Sequence, residues 1–488
     1  LKMAKKILLI PLVAFLLIGL ISCNNDDDNS TPSVSVNDFI WKAMNHWYYW
    51  QTDVPNLGDQ RFQSDTEYQN FLNSKQSDDL FYSLLFDYGN TDRFSWIVSD
   101  YHELQNQLSN QKYSFGMKYG LVYVSQGSSQ IFGYVQYVLP GTPASDAGLK
   151  RGDIFTRING VQLNDSNYTE LLAASSATFG MGYIQNGQLF DSSLQVFLNK
   201  VDILENPIFI NTIIEKNGHK IGYLMYNAFQ ANFNIELNNA IGQLKAQGIT
   251  DLVIDLRYNG GGSVQTCAYF GSMITGQFEG QDFTRLTFNS KRSDFNSVYK
   301  FENQGTSYDN DMNQNGTFGI NHLNLNKIYV LTLSGTASAS EMLINSLRPY
   351  IQVTTIGRKT YGKTVGSITL YDSPSTQYTS STDGINPNHN WAMQPIVFDA
   401  KNSQNQASPV TGINPDTDVN EIAYLEYLPP LGTEYDPLLG AAISQITGGG
   451  RPAPAFELFN TGKMFKNSSE LESFGTEMYL EKDFELKQ

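Results

Sequence analysis

Cysteine is nearly missing from this chain: Cys23 and Cys267 are the two among 488 residues. No disulfide framework can hold such a fold together, so its cores have to come from apolar burial. Charge is also scarce, at 16% of residues, and the 32 Lys+Arg fall well short of the 48 Asp+Glu. A net charge of −16 without any basic run repels a phosphate backbone and excludes general nucleic-acid binding. Histidine is rare, with five at positions 46, 102, 219, 322 and 389, none in a recognisable catalytic context. Apolar residues, by contrast, reach 41% and aromatics 13%, enough for several cores in a chain this long and against a disordered one.

The first residues read as a sorting signal. Lys2, Lys5 and Lys6 precede an apolar run from Ile7 to Ile21, too short for a comfortable membrane span. The run ends in Leu20-Ile21-Ser22-Cys23, which resembles the lipobox of bacterial lipoproteins. That resemblance implies a signal peptide over 1–22, lipidation of Cys23, and the membrane as a partner through an N-terminal lipid anchor. The address implied is the cell envelope, at the outer membrane. The acidic and polar stretch 23–36 then serves as a tether. Cys267, in Cys267-Ala268-Tyr269-Phe270, reads as a small core residue and not a nucleophile.

Four further segments follow. Over 37–112 the pattern is helical, with Phe39, Ile40, Ala43 and Trp47 on one face, and Trp47-Tyr48-Tyr49-Trp50 reads as part of a small helical core. Over 113–200 short alternating strands and glycine turns take over, including an Ile158-Asn159-Gly160-Val161 hairpin turn. The run from Val135 through Pro140-Gly141-Thr142-Pro143-Ala144 to Gly148-Leu149-Lys150-Arg151-Gly152-Asp153-Ile154 resembles the PDZ domain. By that resemblance Ser114-Phe115-Gly116-Met117 is a carboxylate-binding loop, and Phe115, Gly116 and Met117 receive the C-terminus of a polypeptide beside an open sheet edge. Over 201–450 strands and helices alternate, interrupted by a polar insertion at 276–326. The Asp311-Met312-Asn313-Gln314-Asn315-Gly316 run within it starts like a calcium loop but has His322 where the bidentate Glu belongs, and reads as a surface turn. No metal and no cofactor are expected. The tail, 451–488, reads as a polar, semi-ordered end.

Chemistry concentrates in three places. Ser334-Gly335-Thr336-Ala337-Ser338-Ala339-Ser340-Glu341 joins a buried strand to an apolar helix, which exposes a serine near the positive end of the helix dipole. Ser338-x-x-Glu341 also spells a capping box, in which the serine would serve only the helix. Downstream, Thr360-Tyr361-Gly362-Lys363-Thr364-Val365 sets a lysine among apolar and glycine residues; upstream, Asp255-Leu256-Arg257-Tyr258-Asn259-Gly260-Gly261-Gly262 ends a strand in a glycine loop.

These features, in this order and behind the PDZ-like run, resemble the carboxyl-terminal processing proteases of the S41 peptidase class over residues 37–445. The resemblance implies a multidomain α+β chain: a small N-terminal helical domain, a PDZ-like β domain, and an α/β catalytic domain of the ClpP/crotonase-like kind. It implies Ser338 as nucleophile and Lys363 as general base. The N–H of Ala339 and of one glycine among Gly260, Gly261 and Gly262 would form the oxyanion hole. A lysine acts this way only if desolvation lowers its pKa, so its amine is expected uncharged and touching the Ser338 hydroxyl. The tricorn-like branch of the class takes its base from an Asp-Gly-His segment; here Asp92-Arg93-Phe94-Ser95 stands in that place, without a histidine. One position departs: the proteases carry Gln four residues after the lysine, where Ser367 stands here, expected to orient the amine less efficiently. Glu341 is expected to cap the helix, and Met393-Gln394-Pro395-Ile396 to be scaffold. The function expected is a serine endopeptidase acting on polypeptides captured by their C-termini. The alternative is a catalytically weak or inactive PDZ-containing lipoprotein that only binds peptides.

Overall fold

Apolar side chains at three- and four-residue spacing make Val34–Trp47 a helix, and Val36, Phe39, Ile40, Ala43, Met44 and Trp47 are all buried. The helix therefore starts inside the segment read as tether. The structure is a computed structural model that describes residues 34–108, 111–449, 458–459, 462–472 and 475–480. The leader 1–22, Cys23 and the acidic run behind it lie outside the described residues.

Two short helices, Asp65–Leu72 and Ser77–Ser83, pack on the first, yet the three do not close a core of their own as the sequence led us to expect. They offer too little apolar surface for that. Trp47 instead meets Phe288 and Phe295 edge-on, the Tyr49 N–H donates to the Ile396 carbonyl at 2.8 Å, and the strand Trp96–Val98 pairs with Ala392–Gln394. Helices and the α/β region share one core.

The PDZ-like sheet runs in the order Lys463–Asn467, Met117–Tyr123, Ile131–Val138, Ile154–Ile158, Ser176–Gln185, Gln188–Asn199. Phe115, Leu121, Val135, Phe155 and Phe179 fill its interior, and the helix Tyr168–Ala173 closes one side.

The α/β region is built on a six-stranded sheet: Ile208–Lys216, His219–Tyr226, Asp251–Asp255, Lys327–Thr332, Gln352–Gly357, Thr417–Asp418. After the first antiparallel pair every neighbour is parallel. Side chains alternate between its two faces. Leu224, Leu252, Ile254, Ile328 and Val330 pack under the helices Asn234–Ala246, Val264–Thr275 and Ala339–Leu347, while Tyr223, Met225, Val253, Tyr329 and Leu331 pack under Pro437–Thr447. Cys267 is buried in the first of these cores.

The stretch read as a polar insertion is more than that. It holds the strand Asp282–Phe288, with Phe283, Leu286 and Phe288 buried, which joins a second sheet between Ser297–Lys300 and Ile396–Asn402. Its polar face explains the misreading, since only alternate residues carry the core signal. Asp309 bonds the N–H groups of Asp311 and Asn313, within a turn between paired strands. The tail also departs from expectation: Lys463–Asn467 and Met478–Tyr479 are strands, one in the PDZ-like sheet and one in the second sheet of the α/β region.

Candidate active site

Parallel connections bring the three chemical motifs together. Asp251–Asp255, Lys327–Thr332 and Gln352–Gly357 are adjacent in the sheet and point the same way, so the glycine loop, the serine turn and the lysine loop all leave from one edge. That carboxyl edge is where open parallel sheets bind ligands.

The serine turn is held on the glycine loop. Thr336 Oγ1 donates to the Leu256 carbonyl at 2.7 Å, and the Asn259 carbonyl accepts from the Ala337 N–H and from Ser340 Oγ, both at 3.1 Å. Ser338 itself has φ 61° and ψ −117°, a backbone region that side chains avoid. It is fully buried, and its Oγ has no hydrogen-bond partner among the described residues. The capping box is made firmly from one side only: the Ser338 N–H donates to Glu341 Oε2 at 3.0 Å, whereas the serine hydroxyl faces the Glu341 N–H without forming a hydrogen bond. A serine present only as a cap would spend its hydroxyl on the helix; this one leaves it free on a strained turn.

Glu341 does more than cap. Its carboxylate also accepts from the Lys363 N–H at 2.9 Å, the Gly362 N–H at 2.9 Å and Thr360 Oγ1 at 2.5 Å. Burial pushes its carboxyl above the ordinary range, and these donors pull it back. One buried side chain therefore fastens the serine turn to the lysine loop.

Lys363 is wholly buried. Burial lowers the pKa of its amine, against the upward pull of Glu477 and Asp92. It does not bond Ser338, as the sequence led us to expect. Its Nζ donates to Glu477 Oε2 at 2.5 Å and lies 4.9 Å from the centre of the Phe94 ring. Ser367 bonds the same carboxylate, donating to Glu477 Oε2 at 3.0 Å, and accepts from Gln394 Nε2 at 3.0 Å. Ser367 thus faces the lysine's partner and not the lysine. Gln394, read as scaffold, is 1% exposed and brings an amide into the site from a neighbouring strand.

Among the expected oxyanion donors, the Ala339 N–H has no hydrogen-bond acceptor among the described residues, as befits a first-turn donor. Gly261 donates to Asn259 Oδ1 at 2.9 Å and Gly262 to the Glu477 carbonyl at 2.7 Å. Gly260 packs against the Gly475 carbonyl. Only glycine fits at 261, where φ is 118° and a Cβ would stand 2.6 Å from that of Ser338. Arg257 anchors the loop from below, with Nε 2.9 Å from both Asp255 oxygens and a bidentate pair to Asp436 at 2.8 Å. Arg151, from the PDZ-like domain, joins the same cluster through Tyr258, Glu421 and Asp436.

No histidine enters the site. His46 contacts Arg292, His102 Asp100, His219 Asp251, His322 the Ser272 carbonyl and His389 Asp372. The N-terminal segment still contributes a wall: Asp92, buried and bonded by Tyr48 OH at 2.7 Å and Ser95 Oγ at 2.6 Å, holds Phe94 beside Lys363.

In the PDZ-like domain, Phe115 and Met117 line a cavity of about 230 Å³ with Tyr119, Leu172 and Lys200. Gly116 has φ 87°, and a Cβ there would come within 2.1 Å of Thr142 Oγ1. Glu477, Gln394 and Phe94 are the site residues that the sequence did not disclose. The Asp-Arg-Phe-Ser segment was a signal for Phe94; no local pattern marks the other two.

The chain matches three domain families. Residues 220–419 match Peptidase family S41, 35–96 the Peptidase S41 N-terminal domain, and 134–178 a PDZ domain. A carboxyl-terminal-processing protease of Picosynechococcus is 30% identical over 229 residues, 46% of this chain and 49% of that protein. The chain thus matches about half the length of that relative. A solved structure from Bacteroides fragilis, assigned to the S41 proteases, superposes with a TM-score of 0.64 at 26% identity, over 86% of this chain and 98% of the other. The photosystem II D1 C-terminal processing protease shares the fold, with a TM-score of 0.50 at 17% identity over 83% and 99% of the two chains.

Proposed function

We propose, starting from the match of residues 220–419 to Peptidase family S41 behind its N-terminal domain and a PDZ domain, that this chain is a serine endopeptidase that takes polypeptides by their C-termini and cuts them through an acyl-enzyme. One observation carries the reading: the Ser338 hydroxyl is buried and unpartnered on a strained turn that Glu341 ties to a buried lysine.

The chemistry follows from those residues. Neutral Lys363 takes the proton of Ser338 Oγ as the oxygen attacks a peptide carbonyl. The Ala339 N–H, with a glycine-loop N–H freed from its present partner, stabilises the tetrahedral oxyanion; each donor contributes roughly 3 kcal/mol to lowering the barrier. Collapse expels the amine, which takes the proton back from Lys363. Water then attacks the acyl-enzyme by the same route in reverse. Phe115, Gly116 and Met117 would receive the substrate's end along the Met117–Tyr123 edge, which Lys463–Asn467 covers in this structure, and the shared cluster of Arg151 and Arg257 links that domain to the glycine loop.

The test is mass spectrometry of the products from an unfolded protein across a pH series. Because the base must be neutral, cleavage should rise with pH through the lowered pKa of Lys363 and fall on the acid side. Burial of the amine sets this limb low, while Glu477 and Asp92 raise it. A flat rate from roughly pH 5 to about pH 9 would rule out a lysine base.

The lipoprotein form belongs to the same proposal. Leu20-Ile21-Ser22-Cys23 supports diacylation of Cys23 and a place in the cell envelope, at the outer membrane. In cells, a Cys23→Ala chain should leave the membrane pellet for the soluble fraction; pelleting like the parent would contradict the anchor.

A further inference from the structure

The same stretch of chain adds a strand to the PDZ-like sheet and then crosses beside the nucleophile. Lys463–Asn467 pairs antiparallel with Met117–Tyr123, with Lys463 opposite Tyr123 and Asn467 opposite Gly120. This is the edge that follows the Phe115–Met117 loop, and the tail runs along it toward the loop, as a captured chain end would. Phe465 packs on Tyr123 and on Tyr168 across the groove, with ring centres 4.9 and 5.1 Å apart. The Tyr119 N–H donates to Ser468 Oγ at 3.2 Å, and Leu471 and Glu472 line the cavity beside Phe115 and Met117. Glu472 pairs there with Lys112, at 2.9 Å, and with Lys118. Burial works to raise its pKa, but the two lysines prevail and hold it at about 2, although a third of the side chain is exposed.

Residues 475–480 then lie in the catalytic cleft. Met478 and Tyr479 pair in parallel with Gly262 and Ser263 on one side, and Tyr479 with Ser367 on the other. The Glu477 carbonyl takes the Gly262 N–H, and its carboxylate takes Lys363 Nζ, Ser367 Oγ and Trp96 Nε1. This strand is not set up for cleavage. Among the described residues no carbonyl fills the Ala339 N–H and Ser338 Oγ has no hydrogen-bond partner, and the base is engaged by a carboxylate.

We propose that the chain's own C-terminal segment, 463–472 and 475–480, is an intramolecular ligand of both peptide sites, so that the resting enzyme is blocked by its own tail until a polypeptide substrate displaces it. The inference rests on the peptidase reading of Ser338 and Lys363. It also defines the substrate's path: down the Met117–Tyr123 edge and into the slot between Gly262–Ser263 and Val365–Ser367.

Two measurements test it. A fluorescent peptide spanning 463–480 is titrated into a chain ending at Gly462 and carrying Ser338→Ala; it should bind saturably, and more weakly with alanine in place of Glu477. Separately, a fluorophosphonate probe is applied to the parent, to the chain ending at Gly462 and to full-length Glu477→Ala. Release of a tethered occupant should speed labelling of both variants by roughly tenfold or more, and added peptide should slow the truncated chain again. The proposal falls if the peptide does not bind a truncated chain that melts cooperatively. It falls equally if full-length Glu477→Ala labels no faster than the parent, an arm that stands even where truncation prevents folding. Labelling absent from every chain, with the peptide bound, would overturn the peptidase reading and leave the double docking intact.

Discussion

Ser338→Ala should abolish labelling by a fluorophosphonate probe and lower cleavage of an unfolded protein by roughly 10³-fold or more, the scale of losing a nucleophile. It should do so without loss of stability. The hydroxyl makes no hydrogen bond among the described residues, so its removal leaves none of them unsatisfied, and the midpoint of urea unfolding should stay put or rise. Ser338→Gly separates the two properties further. At φ 61° and ψ −117° glycine pays no steric penalty, and relief of the strain should add about 1 kcal/mol while activity disappears. A structural capping serine would behave in the opposite way: its loss would cost about 1 kcal/mol and leave chemistry untouched. If Ser338→Ala kept its labelling, the nucleophile would have to be sought elsewhere.

Much of this site was open to reading because its parts obey local rules. A buried strand, a serine at the junction and an apolar helix announce the serine turn; a glycine run announces a loop where backbone must come close, and Gly261 against Ser338 is that approach. The parallel order of strands then explains why segments so far apart in sequence meet at one edge. What stayed hidden has no local signature. Gln394 sits in a short strand with no pattern of its own, and Glu477 belongs to a polar tail whose strands are too brief to show alternation. Their placement is decided by pairing with edges supplied by other domains. The expectation of a closed Ser338–Lys363 contact failed for the same reason: nothing in the sequence near Lys363 says that a carboxylate more than a hundred residues later takes its amine.

That contact makes Lys363 the sharper test of the pair. Lys363→Met preserves length and suits a site that is wholly buried, so the chain should fold, yet cleavage should fall about as far as in Ser338→Ala. Arginine should not rescue it, because a guanidinium stays protonated and cannot accept the serine proton. The double variant Ser338→Ala/Lys363→Met decides the mechanism. If base and nucleophile act as one unit, the second substitution costs nothing further, and the double variant should cleave at the residual rate of either single one. Loss of Lys363 leaves the buried Glu477 carboxylate unpaired on either account, so stability should drop by about 3–5 kcal/mol; if Lys363 only balanced that charge, the remaining enzyme would keep its turnover. The Glu477→Gln/Lys363→Met pair removes that complication, since neither charge is left. Its stability should recover toward the parent's, and its activity should stay at the floor set by Lys363→Met alone.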